Sequence, residues 1–220
     1  MNMNIERLLY SAPAVLIAMV LHELSHAYTS YRLGDPTPKE TGRLTINPLK
    51  HLDLFGSLCL LFLGFGWAKP VQINPRYYKN PKIGTLWVSL AGPGMNFLLA
   101  FIGSLGVSLI FKIAGDSLTF QTEAGYKAFL YVYRFLQYFM LINIGLGIFN
   151  LIPFPPLDGS KVLAAVLPDR AYYTWMRYER YGQFVLMILL YTGLLSGPLA
   201  YLRSGVYYGL QTVTNFLLQV

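Results

Sequence analysis

Long apolar runs, rather than helical or strand alternation, dominate this chain. Four of them, at about residues 8–31, 84–111, 128–152 and 181–202, reach the roughly 20 residues that a helix needs to cross a bilayer. A further run, Leu54 to Trp67, covers 14 residues and is rich in Gly. At about 1.5 Å per residue it falls short of a hydrocarbon core of about 30 Å, and it is read as re-entrant. The tail over 204–220 is ambiguous between a short final span and an interfacial helix. No internal repeat or linker breaks the pattern. The expectation is an all-α polytopic membrane protein with about five to six transmembrane helices. It is read as a single domain over 1–220, with a core over about 8–168 and C-terminal helices over 181–220.

Composition agrees with this reading. The chain is 55% hydrophobic, with a mean hydropathy of +0.45, and 12% charged, about half the share usual for soluble domains. Tyr and Trp cluster near the ends of the apolar runs, as an interfacial belt requires. The net charge of +7 invites a nucleic-acid reading, but the basic residues sit in loops and form no stripe with a recognition motif. A positive-inside bias explains them better. With 54–67 re-entrant, segments 32–83 and 153–180 share one side and hold twelve Lys and Arg, against four on the other. The first side is therefore read as cytoplasmic, with the N-terminus outside a cytoplasmic membrane. Cys59 is the only cysteine, which excludes a disulfide framework and a Cys-based metal site. The opening "MNMNIERLLYSAPAVLIAMVL" has one basic residue, Arg7, offset by Glu6, and is read as a retained first helix rather than a cleaved signal.

One stretch contradicts its surroundings. "LHELSH" places His22, Glu23 and His26 inside the first apolar run. Residues four apart share a helix face, so the two imidazoles can bind one metal ion, with Glu23 within reach of a water on it. With only three histidines and five glutamates in the chain, this pattern arises by chance with odds of roughly one in a thousand. Ionisable groups inside a span default to function. A catalytic zinc usually takes three protein ligands. His51, in the basic loop "NPLKHLDLFG", is one candidate for the third, although a loop histidine is more often solvated or interfacial. Asp158, in "FNLIPFPPLDGS", is the stronger one, because a Pro-rich break at membrane depth is tolerated where it lines a protein-buried or watery cavity. The competing role for Asp158 is capping the helix that follows it.

Together, H22-E-L-S-H26, G92-P-G-M-N96 and N150-L-I-P-F-P-P-L-D158-G159 resemble the site-2 protease family of intramembrane zinc metalloproteases, in its short branch without a PDZ or CBS domain. "GRLTINPLKHLD" and "GWAKPVQINP" fit the same branch, although Leu54 stands where Pro often follows Asp53. The resemblance implies one Zn²⁺ held by His22, His26 and Asp158, with Glu23 as general base. It also places Asn96 near the active site, either as a donor to the oxyanion or substrate backbone or as an interhelical hydrogen bond. Asn143 and Asn150, seven apart on one helix face, are read as structural glue, with Asn150 placed to brace the Asp158 loop.

The expected substrate is a transmembrane segment of another membrane protein, expected to be single-pass, which must unwind and find new backbone partners. Strand addition along "RLTI" (43–46) or "PVQI" (70–73), with Val71 and Ile73, would supply them from a small β-like element near the cytoplasmic face. The alternatives are a non-proteolytic zinc-binding adaptor or chaperone, and a transporter. The first has no need of Glu23, and the second predicts inverted repeats.

Overall fold

The computed structural model describes residues 5–53, 56, 68–114, 122–168, 171 and 179–219. Apart from Gly56, the run expected to be re-entrant lies outside the described residues. The described chain forms helices α1 (Ile5–Arg32), α2 (Thr37–Glu40), α3 (Pro81–Ala114), α4 (Glu123–Asn150), α5 (Asp158–Val166), α6 (Glu179–Tyr191) and α7 (Ser196–Leu218). Helices α1, α3 and α4 are each long and apolar enough to cross a membrane, and the bent pair α6 and α7 makes a fourth candidate. This is a multi-pass membrane protein. Among the described residues the count is three to four, against the five to six expected.

Local signals account for the helix ends. The α1 terminus is a Schellman motif: Asp35 N donates to Ser30 O and Gly34 N to Tyr31 O, with Gly34 at φ +103°. Helix α3 begins with Pro81 behind Asn80, whose side chain accepts from Ile83 N at 3.2 Å. Helix α4 is capped by Thr122 Oγ1, which accepts from Gly125 N. The run expected as one helix over 181–202 is instead broken after Tyr191 and bends by 85°. Gly193 adopts φ +72° there and accepts from Ser196 N as α7 begins. The tail then continues in α7 to Leu218.

Helix α3 is the hub, packing against α1, α4, α5 and α7. Ala100, Met140, Ile144 and Ile148 form one buried cluster under α7, and Ala14, Leu99 and Phe139 form another against α1. Lipid removes the hydrophobic drive between helices, so close approach and polar contacts take its place. Gly147 lies against the Phe97 ring and Gly103 against Met140. Ser104 and Ser108 of α3 meet Thr214 of α7 at 2.9 and 3.1 Å. The expected β-like element is reduced, among the described residues, to a single antiparallel bridge between Leu52 and Ala68; neither 43–46 nor 70–73 forms a strand.

Asp35 ties the loops beyond α1 together. It is fully buried and accepts from Ser30 Oγ, Thr37 N and Asn74 N. Burial pushes its carboxyl up, but the donors from Thr37, Asn74 and Ser30 outweigh it and hold the group below the usual carboxylate range. A depressed folded pKa gives stability that is present above about pH 4 and lost as pH falls through the folded value. Asp35→Asn is expected to cost about 1.5–3 kcal/mol at neutral pH. In thermal unfolding in detergent, its deficit relative to wild type should narrow as the pH drops below about 4.

Candidate metal centre

Helix α1 carries His22 and His26 one turn apart, with rings 4.6 Å apart and edge to face. Opposite them, α3 presents Val88, Gly92 and Asn96, four residues apart and so on one face. His26 Nδ1 lies 2.6 Å from Val88 O, and His22 Nδ1 lies 2.6 Å from Asn96 Oδ1. A carbonyl only accepts, so His26 carries its proton on Nδ1. A second chain of contacts does the same for His22. Phe139 O can only accept, so Asn143 Nδ2 donates to it at 2.8 Å. Asn143 Oδ1 then accepts from Asn96 Nδ2 at 2.9 Å, and Asn96 Oδ1 is left to accept from His22 Nδ1. In the neutral imidazoles that a metal requires, both Nε2 atoms therefore present lone pairs.

Those lone pairs converge on Asp158. Its Oδ2 lies 3.2 Å from each Nε2, and the two Nε2 atoms are 3.0 Å apart. Oδ2 is buried and has no hydrogen-bond partner. With both imidazoles neutral, three acceptors this close repel one another, and a shared cation removes that repulsion. A tetrahedral zinc with bonds of about 2.0–2.1 Å has ligand–ligand edges of about 3.3–3.4 Å, so the donor set and its spacing fit that ion. Among the described residues, His22, His26 and Asp158 form the group able to hold a metal.

Asp158 opens α5 without capping it: the N-cap is Leu157, and no side chain caps the helix. The carboxylate is turned to the histidines instead. Its neighbour must be glycine, because a Cβ on Gly159 would run into the carbonyls of Leu151 and Ile152. Gly92 carries the same constraint on the opposite wall. A Cβ there would stand 2.6 Å from His22 Nε2 and closer still to His26 Nε2.

Asn96 is fully buried, and its amide hydrogens point to Asn143 and, at 3.5 Å, Ala18 O; it holds His22 rather than offering a free donor. Asn150 Nδ2 bonds Leu146 O in its own helix instead of bracing the Asp158 loop. His51 is not solvated: it is 1% exposed, bonds Thr45 O through Nε2 at 2.8 Å, and stands apart from the converging ligands. Glu23 is half-buried, and its Oε2 accepts from Val71 N at 3.1 Å. Ile73 is half-buried on the same segment. Sequence reasoning missed the parts played by Gly92 and Val88, although their spacing of four and eight from Asn96 was the available signal.

Residues 10–195 match the profile of peptidase family M50. The chain is 38% identical over 186 residues to YwhC of Bacillus subtilis (strain 168), which carries a provisional zinc-metalloprotease name; the match covers 84% of this chain and 81% of that protein. It is 30% identical to Rip2 of Mycobacterium tuberculosis (strain ATCC 25618 / H37Rv), also provisionally named a zinc metalloprotease, over 83% of this chain and 66% of that one. It is 27% identical to zinc metalloprotease MJ0392 of Methanocaldococcus jannaschii, over 83% of this chain and 42% of that one. No solved structure matches the chain. The fold and site are those of a membrane-embedded metalloprotease. The chain belongs to peptidase family M50, the site-2 protease family.

Gly92→Ala should displace one or both imidazoles. Bound metal, measured on purified protein, is expected to be held at least tenfold more weakly than in wild type.

Proposed function

We propose that this metalloprotease is a zinc endopeptidase that cuts within transmembrane segments of other membrane proteins, using one ion held by His22, His26 and Asp158. The observation that carries this reading is the triangle of ligand atoms with edges of 3.0, 3.2 and 3.2 Å. Zinc, when bound, supplies Lewis acidity toward a carbonyl and lowers the pKa of a coordinated water to about 7. Glu23, next to His22 in the chain, takes the proton from the attacking water and returns it to the leaving amine. Asn96 and Val88 O fix the imidazole tautomers that leave both Nε2 atoms free to bind metal. We assign Asn96 this orienting role in place of the oxyanion contact.

The whole chain, 1–220, acts in this proposal as one membrane-embedded domain, with its catalytic core over 8–168. The excess of Lys and Arg in 32–83 and 153–180 supports a site near the cytoplasmic face of the cytoplasmic membrane and an N-terminus outside. The substrate, such as a single-pass protein, unwinds to expose its scissile bond. Segment 70–73, which touches Glu23 through Val71, offers backbone with which it can pair.

Metal analysis and cleavage of a model single-pass substrate, run on the same preparations, test this reading. Glu23→Gln is expected to keep zinc and lose cleavage by about 10²–10⁴-fold. Asp158→Asn is expected to weaken both. Normal cleavage by Glu23→Gln would refute the mechanism.

A further inference from the structure

The general base does not stand alone. Val71 N donates to Glu23 Oε2, and the segment that carries Val71 is fastened at both ends by buried polar groups. At its start, Lys69 N donates to His51 O at 2.8 Å, next to the Leu52–Ala68 bridge. Lys69 O accepts from Arg43 Nη1 at 3.3 Å, and the same guanidinium donates to Lys50 O. Arg43 is 5% exposed and His51 1%. At the other end, Asn74 N donates to Asp35 Oδ2 at 2.7 Å, and that oxygen also accepts from Ser30 Oγ on α1.

The lengths agree. Glu23 and Ser30 are seven residues apart on α1, about 10 Å along the axis. From Val71 to Asn74 is three residues, which span about 10 Å when extended. The segment therefore runs alongside the last two turns of α1, touching it at Glu23 and at the Ser30–Asp35 pair.

We infer that residues 69–74 form a brace that positions Glu23 through the Val71 N–H, with Arg43 and Asp35 as positioning residues at its two ends. Burying a guanidinium is costly unless it finds acceptors, and here Nη1 donates to the backbone carbonyls of 50 and 69. The amide holds one carboxylate oxygen and leaves Oε1 to carry the proton. A carboxylate fixed in this way loses less freedom on reaching the transition state. The loop "GRLTINPLKHLD" and the segment "AKPVQIN" thus become one device, joined by Arg43 and His51 and aimed at the base.

The inference rests on Glu23 as general base, which the Glu23→Gln comparison tests separately. The direct experiment replaces the backbone N–H of Val71 with an ester oxygen in the full-length protein and measures kcat, KM and zinc content on a single-pass substrate. Loss of a hydrogen bond to a charged group should lower kcat about tenfold or more, with KM within about twofold and zinc content unchanged. Arg43→Ala should give the same signature, and Arg43→Lys, which restores a cation and donors, should recover part of kcat. If Arg43→Ala does not fold, the ester variant decides alone. An unchanged kcat in the ester variant, or an effect confined to KM, overturns the brace, and it leaves the base intact so long as Glu23→Gln is inactive.

Discussion

Three buried metal-ligating atoms that face one another across about 3 Å are the constraint around which this molecule is organised. With both imidazoles neutral and no cation, the Nε2 atoms of His22 and His26 and the Oδ2 of Asp158 would repel at 3.0–3.2 Å, and low dielectric makes that repulsion stronger than in water. The surrounding chain fixes which tautomer each neutral imidazole adopts, with Nδ1 protonated and Nε2 turned to the site. Val88 O holds the His26 proton on Nδ1, and the relay from Phe139 O through Asn143 and Asn96 holds the His22 proton there. The site is preorganised for a metal by hydrogen bonds that never touch the metal.

The membrane explains why the relay is so complete. Polar side chains inside a span are costly, and they persist when each hydrogen has a partner. Asn96 and Asn143 are both fully buried, yet each finds acceptors on neighbouring helices or its own backbone. Close approach then requires small residues. Gly92 makes room for the imidazoles, Gly159 lets α5 start against the carbonyls that end α4, and Ala14, Ala18 and Ala100 close the remaining gaps. The packing and the chemistry make the same demand.

Outside the spans, a second polar system does comparable work on the loops. Asp35 and Arg43, opposite in charge and both buried, do not pair with each other; each grips backbone near an end of residues 69–74. That division lets two short, strandless segments keep a defined geometry where the expected β-like element is only one bridge.

Much was legible in the chain. The apolar runs located α1, α3 and α4 to within a few residues, because about 20 apolar residues in lipid leave the backbone little choice but a helix. The spacing of His22 and His26 announced a metal site, since residues four apart must share a face. Gly193 and the Gly197–Pro198 pair carried the break between α6 and α7, but the continuous hydropathy of the run concealed it. Two matters belonged to the tertiary structure alone. One is tautomer and orientation, which depend on partners 47 to 78 residues away in sequence, from Asn143 to Asn96 and from Asn96 to Ala18. The other is the placing of Val71 against Glu23, 48 residues apart. Local spacing fixes which side chains share a face; only packing decides which faces meet.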